Sequence, residues 1–219
     1  MLFAVPPAWE AGELVRLETP QHVVALTFDG GGNDVAARSV LATLRATGTP
    51  ATFFLTGHFV RLYPALARTI GANRDWVVAN HTEDHSDLTR LPSSQVAWEI
   101  EAAEGRIDAA TGRVAKPLFR FPYGARDSRT LAIVRRLGYV SVRWTVDTWG
   151  WMGRCCQTTD GAVRRVLDHL VPGEIVLMHL GSARDGATID SQALPRVIAA
   201  IKARGYRFVT LASVKPRGT

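Results

Sequence analysis

Short apolar and β-branched runs alternate with stretches of helical period along the chain, and this alternation limits the possible folds more than any other feature. Strands separated in this way by helices form βα units, whose strands pair in parallel within one sheet. Seven runs read as strands: 22–28, 51–56, 76–80, 118–121, 139–145, 174–179 and 207–211. The clearest helix follows Leu91. Pro92, Ser93 and Ser94 supply its start, Val96, Ile100, Ala103 and Ile107 recur three and four apart, and Gly112 stops it. Segments 34–47, 59–70, 128–137, 159–170 and 191–204 read similarly, several of them ending at a glycine. No internal repeat interrupts the pattern.

The 219 residues are 47% hydrophobic and 21% charged, an ordinary globular composition that predicts one domain spanning 1–219. The 26 basic residues outnumber the 20 acidic ones for a net charge of +6, which raises the question of a polyanionic partner. The basic residues are scattered, however, and pairs such as Arg135-Arg136 and Arg164-Arg165 fall in predicted helices, where a solvated outer face explains them. Nucleic acid is therefore not an expected partner, whereas an anionic wall polymer is compatible with the charge. Cys155 and Cys156 are adjacent, and neighbours in sequence rarely reach disulfide geometry, so two packed small residues are expected there, with a thiol ligand as the alternative. The N-terminal stretch lacks both a basic segment and an apolar run long enough for a signal peptide or membrane span. As written, the chain reads as cytoplasmic and free of membrane, although a trimmed piece of a secreted or wall-associated protein would look the same.

Residues of unusual chemistry gather just after the predicted strands, where parallel α/β sheets place their active sites. Five clusters stand out. In Thr27-Phe28-Asp29-Gly30-Gly31-Gly32-Asn33-Asp34, Asp29 directly follows an apolar strand and reads as a base or metal ligand, while Asp34 serves equally well as a helix cap. Asn80-His81-Thr82-Glu83-Asp84-His85 holds two imidazoles four apart, which one helical turn would aim at a common point, a metal-ligand spacing that also occurs by chance on surface helices. Phe119-Arg120-Phe121-Pro122-Tyr123-Gly124 sets a permanent cation beside a rigid turn, either to orient a carboxylate or merely to face solvent. Trp144-Thr145-Val146-Asp147-Thr148-Trp149-Gly150-Trp151 joins an acid to three indoles, suited to sugar stacking or to a core edge. Ile175-Val176-Leu177-Met178-His179 ends an apolar strand in a histidine that, alone, would read as structural.

Taken in order, the five clusters resemble the motifs of the polysaccharide deacetylase family, also called carbohydrate esterase family four, over Thr27 to His179. The resemblance implies an α/β fold, a distorted and incomplete (β/α)7-type barrel. It also implies a divalent cation, usually zinc and sometimes cobalt or nickel, and hydrolysis of acetyl groups on sugars or cell-wall-type polysaccharides. Carried onto this chain, it makes His81 and His85 metal ligands, Asp29 the general base toward the attacking water, and Arg120 the partner that keeps Asp29 ionised. His179 becomes the general acid, Asp147 its orienting carboxylate, and the Tyr123 N–H a donor to the oxyanion. Leu177 would line the acetyl pocket and Trp149 its wall, with Tyr123 also on the substrate. The chain departs from the family at one position: the second acid of the first motif, the family's third metal ligand, is here Gly30. Asp34, or less readily Asn33, is expected to bend back over Gly31 and Gly32 to take its place. A barrel that binds sugar without hydrolysing it, and an amide hydrolase of small molecules on the same scaffold, are the alternatives.

Overall fold

The structure is a computed structural model and describes residues 7–10, 13–182 and 185–212. The segment before residue 7, on which the reading of a missing leader partly rests, lies outside the described residues. In chain order the strands are β1 (Pro7–Glu10), β2 (Glu13–Leu17), β3 (Val23–Gly30), β4 (Ala51–Leu55), β5 (Trp76–Asn80), β6 (Leu118–Phe119), β7 (Val140–Ser141), β8 (Val146–Asp147), β9 (Glu174–His179) and β10 (Arg207–Val209). The helices are α1 (Ala37–Thr47), α2 (Gly57–Leu62), α3 (Pro64–Ala72), α4 (Ser93–Thr111), α5 (Ser128–Arg136), α6 (Thr159–Asp168) and α7 (Ile189–Ala203). None of these helices is long and apolar enough to cross a membrane.

The main sheet runs β7-β6-β5-β4-β3-β9-β8, with β10 also paired to β3, and every pairing in it is parallel. It curls into an incomplete barrel wrapped by helices. The gap between its two ends is spanned by β2, which bridges Leu14 to Val142, accepts the Arg143 N–H at Leu14 O, and donates from Leu17 N to Gly173 O. The hairpin β1–β2 was not expected from the sequence. Its second strand, Glu13-Leu14-Val15-Arg16-Leu17, is too short and shows no clear alternation, and much of its pairing comes from this seam.

Strand periodicity divides the side chains of β3 between two layers. Val24, Leu26 and Phe28 pack outward into the layer under the helices, whereas Ala25 joins the small cluster inside the barrel with Phe54, Ala79 and Ile175. Thr27 and Asp29 share the inward face by the same alternation. The helices begin and end largely as their sequences dictate: Gly48 and Gly112 close α1 and α4 in the left-handed conformation, and an Asp127–Thr130 capping box opens α5. The single helix expected over 59–70 is two, because Pro64 lacks the N–H that would continue α2 and instead starts α3 at its first position. The strand expected over 139–145 shrinks to β7, since the chain then leaves to meet β2 before re-entering as β8. Cys155 and Cys156, expected as two packed small residues rather than a disulfide, are paired as a vicinal disulfide in a turn closed by the Cys156 N–H on Gly153 O.

Candidate active site

The inward-facing ends of β3 and β9 meet on one rung, where Asp29 pairs with His179 across the two parallel strands. An acid and an imidazole thus enter the same cleft from adjacent strands. Its volume is about 720 Å³, and Asp29, His81, His85, Asp147, Leu177 and His179 all line it.

Asp29 is 8% exposed and is held by Arg120, itself fully buried, whose Nη1 donates to Oδ1 at 2.6 Å. Arg120 is fixed in turn by bonds to the carbonyls of Val142 at 3.3 Å and Arg143 at 3.1 Å, and its guanidinium lies over Phe54 and Trp144. Burial alone would push the Asp29 carboxyl up, but Arg120, with His81 and His179, holds it below the usual carboxylate range. Asp29 is therefore an ionised carboxylate at the lining of the cleft.

The two histidines after β5 converge, although not by the helical turn that their spacing suggested. Residues 81–87 form an irregular loop in which Thr82 and His85 take positive φ, 71° and 59°. Tertiary bonds impose this shape: Glu99 Oε2 accepts the N–H groups of both Glu83 and Asp84 at 3.0 Å, and the Gly57 and His58 N–H groups donate to Thr82 O and Glu83 O. Glu83 anchors the loop from beneath through Arg61 at 3.1 Å and Arg106 at 2.6 Å. The His81 and His85 rings stand edge to face with centroids 4.8 Å apart. His81 Nδ1 donates to Arg120 O at 2.8 Å, which leaves the Nε2 lone pair facing Asp29 Oδ2 at 3.4 Å. Burial lowers both imidazoles, His85 to about 3, so both are neutral. Neutral imidazoles with a free ring nitrogen suit a divalent cation.

A third ligand is not brought to this pair. Asp34 is absent from the cleft lining and lies in the turn that leads into α1, where its carbonyl accepts the Ala37 N–H. Asn33 does line the cleft, but its side chain is spent on Ser182, donating to the carbonyl at 2.7 Å and accepting the N–H at 3.1 Å. No group of three His, Cys, Asp or Glu side chains is placed to hold a metal among the described residues. Gly30 has a packing explanation: a Cβ there would meet Leu55 at 2.9 Å and Leu180 at 3.3 Å, so that position faces the apolar layer rather than the cleft.

On the adjacent strand β9, the His179 ring has Asp190 as its ion-pair partner, with Nδ1 and Oδ2 3.5 Å apart. Asp147 lines the cleft nearby but gives its oxygens to the Trp149 N–H at 2.8 Å and to Trp151 Nε1 at 3.3 Å. Burial pushes the Asp147 carboxyl up. Leu177 lines the cleft, but Trp149 does not. Its ring is covered by Arg165, 3.3 Å from the centroid, and the indoles that face the cleft are Trp144 and Trp151. Tyr123 sits at the rim in the left-handed conformation, φ 59°, with its ring edge-on to His85. Sequence reasoning missed Asp190 and Ser182. Asp190 opens a helix, where an acid passes for start chemistry, and Ser182 sits in an unremarkable loop.

Among known proteins, the profile of the polysaccharide deacetylase family matches residues 16–142. A chitooligosaccharide deacetylase of Azorhizobium caulinodans is 30% identical over 89% of this chain and 95% of its own length. The structure of Bacillus subtilis PdaA, a family 4 carbohydrate esterase, superposes with a TM-score of 0.82 at 27% identity, covering 91% of this chain and 83% of that one. A family 4 pseudoenzyme from Bacillus anthracis does so with a TM-score of 0.82 at 25% identity, covering 93% and 68%.

Proposed function

This chain belongs to the polysaccharide deacetylase family, and on that premise we propose that it is a divalent-metal-dependent hydrolase that removes acetyl groups from N-acetylated, or O-acetylated, sugars. The observation that carries this reading is the shared rung of Asp29 and His179, with the base held ionised by Arg120 and two neutral histidines alongside. A chitooligosaccharide or a peptidoglycan glycan strand is the substrate class, in line with the activities for which relatives are named.

His81 and His85 would hold the cation, which supplies polarisation of the acetyl carbonyl and a lowered pKa for the attacking water. Asp29 takes the proton from that water, and Arg120 keeps it charged and aimed while the carbonyl carbon is attacked. The Tyr123 N–H donates to the oxygen on which charge develops. His179, beside Asp29 on the adjacent strand, gives a proton to the departing amine or alcohol as the bond to the acetyl carbon breaks. Leu177 bounds the space for the acetyl methyl, and Trp144 and Trp151 offer indole faces to the sugar rings.

Acetate release from N-acetylglucosamine oligomers and from acetylated xylan, with chelated enzyme before and after zinc, cobalt or nickel is restored, tests the proposal. Metal-dependent release supports it, and the ratio between substrates ranks amide against ester. A second reading, a barrel that binds sugar without cleaving it, draws on Gly30 and the missing third ligand. Tight oligosaccharide binding with no turnover under any metal would establish it.

A further inference from the structure

Asp190 is a buried carboxylate in which neither the sequence motifs nor the mechanism above finds a use. It is 2% exposed and makes three contacts. Oδ1 accepts the Thr148 hydroxyl at 2.6 Å, while Oδ2 accepts the backbone N–H of His179 at 2.8 Å and lies 3.5 Å from Nδ1 of the same residue. We propose that Asp190 is the positioning residue of the acid side: reaching in from α7, it fixes the ring and the proton of His179 so that Nε2 is presented to the leaving group. The proposal rests on the reading of His179 as general acid.

Three observations support it. First, one oxygen of Asp190 accepts the backbone N–H of His179 and stands 3.5 Å from its ring Nδ1, a buried nitrogen with no hydrogen-bond partner among the described residues, so this carboxylate is the acceptor placed to receive its proton. A carboxylate on one imidazole nitrogen fixes the tautomer and leaves the other nitrogen for chemistry. Second, Asp147, which the family pattern would assign to this task, is engaged with the Trp149 N–H and the Trp151 indole. Third, the site is shaped around the Asp190 carboxylate. A Cβ at Gly150 would lie 2.2 Å from Asp190 Oδ1 and 2.4 Å from its Cγ, and Gly150 is not among the glycines with positive φ, so space alone demands glycine there. Thr148, two residues earlier, donates its hydroxyl to that same oxygen, Oδ1, which leaves Oδ2 to His179. The electrostatics agree: burial disfavours a charged imidazole, yet Asp190, helped by Asp29 and Asp147, holds His179 above its usual range.

A positioned acid matters when the leaving group needs a proton and not when it departs as a stable anion. The experiment therefore compares wild type, Asp190→Asn, Asp190→Ala and Gly150→Ala on N-acetylglucosamine oligomers and on 4-nitrophenyl acetate, with melting curves as the check of folding. In all three variants kcat on the oligomers should fall roughly 10- to 100-fold with KM little changed. Release of 4-nitrophenolate should stay within about twofold of wild type, since that leaving group needs no acid. Equal losses on both substrates, or full activity on the oligomers, would overturn the assignment. The ¹⁵N signature of the His179 ring in the free protein gives a readout independent of turnover. In its neutral form the ring should carry its proton on Nδ1 in wild type, so that the second proton, taken up on Nε2, is the one donated, and Asp190→Ala should give a tautomer mixture. An unchanged pattern would overturn the role of Asp190 even in an active enzyme, whereas a changed pattern in a protein inactive on sugars would sustain it and count only against the substrate reading.

Discussion

Asp29 and Glu174 are buried carboxylates on neighbouring strands of one barrel, Asp29 at the C-terminal rim and Glu174 at the opposite end, and they are held in opposite charge states. Glu174, fully buried at the start of β9, receives the Val171 N–H at 3.2 Å, and its Oε1 has no hydrogen-bond partner among the described residues. Burial pushes its carboxyl up to about 8. Asp29 is nearly as buried but has the Arg120 guanidinium 2.6 Å away, and its carboxyl is held low. Burial by itself makes a neutral acid, and a fixed cation turns the same environment into one that holds a base.

This contrast can be broken in stages. The largest effect is expected from Asp29→Asn, which leaves the shape of the rim intact but removes the base; kcat should fall roughly 10²- to 10⁴-fold on amide and ester alike, as read by acetate release. Removing the cation comes next. Arg120→Met strands Asp29 as an unpaired buried charge and should cost about 3–5 kcal/mol in urea denaturation. Adding Asp29→Asn to that variant should recover part of the loss, and a double variant no more stable than Arg120→Met would refute the pairing argument.

Glu174 then supplies the opposite case. Between its unfolded value near 4.5 and its folded value near 8, the folded chain keeps a proton that the unfolded chain releases. Stability should therefore fall as pH rises through that window, by about 1.4 kcal/mol per pH unit from this group, with no contribution below it. Glu174→Gln should abolish that decline, giving a variant more stable than wild type at pH 8 and indistinguishable from it at pH 4. Parallel stability curves for the two proteins would show that Glu174 is ionised in the fold. The smallest effect is expected at Asp34, whose replacement by alanine should leave zinc affinity unchanged in calorimetry, whereas His81→Ala should abolish binding. Loss of zinc in Asp34→Ala would mean that its side chain does turn into the cleft.

Much of this architecture was legible in the sequence because it is periodic or local. The strands of the sheet, the long helix α4 and the placement of Asp29, Arg120 and His179 at strand ends follow from alternation along a strand and from the position of each motif relative to it. Where the reading failed, the deciding contact lay far along the chain. The split of the 59–70 helix was the exception, since Pro64 announces it locally. The His81–His85 loop has a helix-like spacing but takes its shape from Glu99 in α4, and the seam of the barrel is closed by a hairpin whose residues look like any surface strand.

The sequence by itself determined which chemistry the rim can offer: an acid, an arginine and histidines delivered at the ends of β3, β5, β6 and β9, because a parallel strand fixes both the direction and the face of the residue at its end. Only the tertiary structure decided which partner each group has. Trp149 turned to Arg165 while Trp144 and Trp151 took the cleft, Asp34 stayed in the turn before α1, and Asp190 came to His179 through the space left at Gly150. Those choices depend on which side chains can share a volume a few ångströms across, and spacing along one chain carries no record of that.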